Sequence, residues 1–116
     1  MDEFRTFYIV QPTKGKSSVY LDALREMAID ALRRQFCSDP SVCSPIFTAT
    51  YEEHMPIRAL SERIQYMDQA DMVVFLPGSK EDDTCRCQRY IAMRFGKVIA
   101  DYNMIKDEVV LWENKQ

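Results

Sequence analysis

Glycine and proline are scarce in this chain, at three and five of 116 residues. Collagen-like and low-complexity extended classes are thereby excluded. With 47% hydrophobic residues, so is an intrinsically disordered chain. Histidine occurs once, at His54, so a histidine-based metal site or a Cys-His nucleophile has little to draw on. The four cysteines, Cys37, Cys43, Cys85 and Cys87, include no CxxC pair, and free thiols are expected. Neither a metal nor a cofactor is expected. No run approaches the ~18 consecutive apolar residues of a membrane span, so no membrane partner is expected. A cationic surplus is also missing. Lys and Arg number 15 against 18 Asp and Glu, a net charge of −3, which argues against nucleic acid as a partner. The opening MDEFRTFY lacks the basic and apolar regions of a secretory signal, making the cytoplasm the expected compartment.

The length fits one domain over residues 1–116, since a domain takes ~100–200 residues. Apolar periodicity switches repeatedly along it. Residues 4–10 (FRTFYIV) are aromatic and β-branched and predict a first strand. A polar loop, 11–18, follows, with Ser17 or Ser18 able to cap the next helix. That helix is predicted over 20–35, where Leu21, Leu24, Ala28, Ala31 and Leu32 form one apolar stripe and Arg25 falls mostly outside it. Residues 37–45 read as loop and 46–50 (IFTAT) as a short strand. Pro56 suits the first turn of a second helix, whose stripe is Ile57, Leu60, Ile64 and Met67. The near-continuous apolar run 71–76 suits a strand covered on both faces. A third helix is predicted over 85–95 with Gly96 just past its end, then a strand over 97–102. Residues 109–112 (VVLW) predict either an edge strand or a short helix, with 113–116 fraying.

Strands alternating with helices predict an α/β fold: a small doubly wound, mostly parallel sheet of four to five strands, Rossmann- or flavodoxin-like, with helices on both faces. Ligands in such sheets bind beyond the carboxyl ends of the strands, at the switch in strand order. Two loops should meet there, 11–18 and 77–85. The first has neither GxxxxGK[ST] nor GxGxxG. Its Lys14, Lys16 and Ser17 either hold a phosphate or sugar at a helix start or form a solvated loop with a capping serine. The second carries Glu81, Asp82 and Asp83, which either complement a helix dipole or aim a carboxylate into the cleft for acid–base work. Three acids would repel a phosphate, so any phosphate is expected nearer Lys14 and Lys16.

These segments also resemble a known family. Residues 7–13 (FYIVQPT) are similar to the opening strand and loop of the nucleoside 2-deoxyribosyltransferase superfamily, and 70–78 (ADMVVFLPG) to a later strand. Residues 82–88 (DDTCRCQ), then Ile91-Ala92 and 96–99 (GKVI), resemble its Asp-Ser/Gly-Gly/Thr-x-x-Glu helix start and closing strand. The likeness runs in order over most of 7–102. It implies a small doubly wound α/β domain that cleaves or transfers the N-glycosidic bond of 2-deoxynucleosides or their 5′-monophosphates. A glutamate attacks the anomeric carbon there and an aspartate helps protonate the leaving base. It also implies a homo-oligomer as dimer or ring. The glutamate position is Gln88 here, which lacks an anionic oxygen for attack. Asp82 matches an acidic family position. Tyr8, Gln11, Lys14, Ser17, Gly78, Asp83 and Thr84 are the residues expected to line the nucleoside or nucleotide site. Two non-enzymatic readings stand beside this one. The same pocket could hold a nucleotide without turnover, or the fold could be an oligomeric scaffold that buries Met67, Met93, Phe95, Met104 and Trp112 between subunits.

Overall fold

The computed structural model describes residues 3–45, 47 and 49–113, the Ala49 side chain apart. Strand β1 (Thr6–Val10) carries alternate side chains to opposite faces and is buried on both. Phe7 and Ile9 join one core, while Tyr8 and Val10 join the other. Helix α1 (Ser18–Gln35) starts where Ser17 Oγ accepts from the Tyr20 amide, and it packs Leu24, Ala28, Ala31 and Leu32 into the first core. On the opposite face, α3 (Pro56–Asp68) and α4 (Asp83–Arg94) contribute Met67, Cys85 and Ala92 to the second. Strands β3 (Met72–Phe75) and β4 (Val98–Asn103) lie between the two layers.

With β2 at Ser41–Val42 and β5 at Glu108–Leu111, the sheet has five strands in the order β2-β1-β3-β4-β5. The first four are parallel, and β5 (Glu108–Leu111) runs antiparallel along β4. This is the flavodoxin-like doubly wound order, whose switch point lies between β1 and β3. Residues 109–112 thus contain an edge strand rather than a helix. The hairpin that leads to it turns through Asp107 at φ 52°, held by Tyr102 Oη donating to Asp107 Oδ1 at 2.6 Å. Gln35 of α1 exchanges two hydrogen bonds with the Val109 backbone, so the end of α1 anchors the edge.

Three expectations need correction. Strand β2 (Ser41–Val42) lies inside the stretch read as loop, because two residues carry no hydrophobic pattern to read. Past β2, Ser44 continues the pairing with its side chain: its Oγ accepts from the Ile9 amide at 2.6 Å and donates to the Ile9 carbonyl at 3.1 Å. The expected strand at 46–50 falls partly outside the described residues, at Ile46 and Thr48, and its end belongs to helix α2 (Ala49–His54). In α3 the buried positions are Ala59 and Met67, whereas Ile57 is 83% exposed. The fraying expected at the end falls, for 114–116, outside the described residues.

Candidate functional site

The loops after β1 and β3 leave the sheet toward opposite faces, the first into α1 and the second into α4. A crevice opens where they part. It holds a cavity of about 610 Å³, within the range usual for small-molecule sites. Its walls come from the β1 end and following loop, α1, the segment around α2, α3 and the start of α4.

Deep in it, Tyr8 Oη donates to Gln88 Oε1 at 2.6 Å, with Tyr8 1% and Gln88 2% exposed. The pairing follows from two periodicities. Tyr8 points to the α3–α4 face because neighbouring strand residues alternate, and Gln88 lies one turn from Cys85 and Ala92 on the buried face of α4. Gln88 Nε2 donates to the Thr84 carbonyl at 3.2 Å, which fixes the direction of the amide. Burial pushes the Tyr8 phenol well above its usual range, so it remains a neutral donor. The pair is therefore uncharged, and neither member supplies an anionic nucleophile.

Asp82 caps α4, its Oδ2 accepting from the Cys85 amide at 2.9 Å. The Cys85 thiol is pushed up by burial, then by its hydrogen bond to Asp82, so it stays protonated near neutral pH. On the facing wall, Arg63 pairs with Glu52 and lies 4.7 Å over the Phe47 ring. Burial lowers the Arg63 pKa, while the nearby Asp82 carboxylate acts in the opposite direction. Thr13 Oγ1 donates to the other Glu52 oxygen at 3.3 Å, joining the loop after β1 to α2. The lining carries Lys14, Lys16, Arg25 and Arg63 against Asp22, Glu52, Glu53 and Asp82. Balanced charge of this kind suits a ligand with many polar groups and at most one acidic end, not a polyanion.

Of the expected site residues, Tyr8, Gln11, Lys14, Asp82, Thr84 and Gln88 line this one cavity. Three do not. Ser17 is occupied as the cap of α1. Asp83 pairs with Arg86, with its side chain 92% exposed. Gly78 adopts φ +89° with a hypothetical Cβ only 3.3 Å from Pro12 Cγ, so it lets the two loops touch rather than facing the cavity. Gln11 is turned toward α1, donating to the Leu21 carbonyl at 3.0 Å. Arg25, Phe47, Glu52 and Arg63 were not anticipated. Arg25 falls outside the α1 stripe and reads from the sequence as a solvated residue. Of the residues considered for a subunit interface, Met67 belongs to the core at 2% exposure, and Phe95 is 75% exposed. Trp112 lies under the Arg89 guanidinium. All four cysteines are free thiols.

In comparisons with known proteins, no family model, no curated protein and no solved structure matches this chain.

Proposed function

We propose that this cavity binds a nucleoside or nucleoside 5′-monophosphate, and that it holds the ligand without forming a covalent intermediate at Gln88. The observation that carries the reading is the buried Tyr8–Gln88 pair beside Asp82 at the switch point. These groups offer hydroxyl, carboxylate and amide partners to a sugar, in the order along the chain that the resemblance to nucleoside 2-deoxyribosyltransferases implies. Across the cavity, Phe47 and the planar Arg63 guanidinium provide a flat surface suited to a base. Amide in place of carboxylate at position 88 keeps the hydrogen bonds and removes the attacking oxygen. Asp82 has one oxygen committed to capping α4, which ties it to a structural duty as well.

The test is calorimetric titration with 2′-deoxynucleosides and their 5′-monophosphates, joined to chromatography of released base. Wild type should bind at least one of them and release no base. Gln88→Glu, with the carboxylate restored beside Tyr8, should gain release. Release by wild type that Asp82→Ala abolishes would replace holding by catalysis through Asp82. Absence of binding up to millimolar ligand would remove the reading.

A further inference from the structure

Three arginines are partly buried: Arg25, Arg63 and Arg89. Two of them have protein partners. Arg63 has the Glu52 carboxylate and the Phe47 ring. Arg89 forms a two-pronged pair with Asp101 at 2.8 and 3.0 Å and lies 4.8 Å over Phe75. Arg25 has neither kind of partner. Among the described residues it makes no hydrogen bond, ion pair or ring contact, although Asp22 and Glu26 are its neighbours on α1. It lines the same cavity as Tyr8 and Gln88, with Leu21, Ser44 and Pro45 also on its wall.

A guanidinium cannot relieve desolvation by losing its proton near neutral pH. Burial disfavours the charged form of Arg25 here, and Asp22 and Glu26 offset this only as nearby charges. The guanidinium lines the cavity with N–H groups that no acceptor among the described residues takes, and an incoming anion can take them as charge-assisted hydrogen bonds. Lys14 and Lys16 are different, being exposed at the mouth, with Lys16 lying 5.6 Å from the Tyr20 ring. We propose that Arg25 is the anion-holding residue of the cavity, receiving the phosphate of a nucleoside 5′-monophosphate through its paired N–H groups. This rests on the nucleoside reading for the rest of the ligand, but not for the anion. It moves the phosphate from the loop lysines to the middle of α1.

The experiment measures binding of 2′-deoxyadenosine, 2′-deoxyadenosine 5′-monophosphate and inorganic phosphate to wild type, Arg25→Gln, Arg25→Lys and the double variant Lys14→Gln/Lys16→Gln. Wild type should bind the monophosphate at least about tenfold more tightly than the nucleoside, as a charge-assisted forked contact provides. Arg25→Gln should erase that preference. Arg25→Lys should keep part of it, and the double lysine variant most of it. Without ligand, Arg25→Gln should melt close to wild type, since no group among the described residues pairs with the charge it removes. A preference that survives Arg25→Gln, or that disappears with the two lysines, would overturn the assignment. So would failure of both phosphate and monophosphate to bind wild type. If phosphate stabilises wild type but not Arg25→Gln while 2′-deoxyadenosine does not bind, the anion site stands and the nucleoside reading falls.

Discussion

The Tyr8–Gln88 hydrogen bond can be measured by a double-mutant cycle with Tyr8→Phe and Gln88→Leu. The bond is 2.6 Å long between side chains 1% and 2% exposed. Tyr8→Phe leaves Gln88 Oε1 without its donor, and Gln88→Leu leaves the Tyr8 hydroxyl without its acceptor. Stranding a buried polar group costs about 1–3 kcal/mol. At this chain length 1 kcal/mol shifts the melting temperature by roughly 3–6 °C, so each single variant should melt lower by several degrees. In the double variant neither group is stranded, and its loss should be less than the sum of the singles by about 1–3 kcal/mol. Urea unfolding followed by circular dichroism gives the three values. Additive losses, within about 0.5 kcal/mol, would refute the claim that these groups satisfy one another inside the cavity.

Other perturbations report on what surrounds the site. Gly78→Ala forces a side chain onto φ +89° and toward Pro12, and should cost about 1 kcal/mol or more in chemical unfolding. Arg89→Lys loses the forked pair with Asp101 and the contacts with Phe75 and Trp112, and should destabilise by about 1–2 kcal/mol, with altered Trp112 fluorescence. The Tyr102 phenol is pushed up to about 12, by burial first and then by Asp107. Because its folded pKa is raised, its stabilisation is whole below the unfolded value of about 10 and is lost as pH rises from there toward 12. Tyr102→Phe should therefore flatten the alkaline limb of a stability–pH profile, and an unchanged limb would contradict this. Asp71 accepts from the Arg5 and Thr6 amides, which hold its carboxyl below the usual range. Its stabilisation is present above the unfolded pKa and lost as pH falls through the folded one, so Asp71→Asn should weaken the acid dependence of unfolding.

The elements that could be read from the chain are those whose pattern has one cause. Helix α1 shows its buried stripe at helical spacing, and β3 shows the unbroken apolar run of a strand covered on both faces. Strand β2 could not be read, since part of its pairing is done by the Ser44 side chain rather than by backbone. Residues 46–50 misled in the opposite way. Their aromatic and β-branched content suggests a strand, yet Ala49 and Thr50 begin α2.

The site divides along the same line. Asp82 could be placed because helix starts locate the ligand edge of a doubly wound sheet, whereas Tyr8 and Gln88 came from the resemblance to a family. Phe47 belongs to the segment expected as a strand and Glu52 to a stretch given no element, so their approach to Arg63 had no signal. Arg25 reads as an ordinary surface arginine until its lack of a partner is visible.

The most direct test of the central claim is an amide-resolved NMR titration of the 15N-labelled protein with 2′-deoxyadenosine 5′-monophosphate. Saturable shifts should gather at the loop after β1, at the start of α4 and around Arg25 and Arg63, all of which line the cavity. Shifts confined to other surfaces, or no shifts at millimolar ligand, would contradict it.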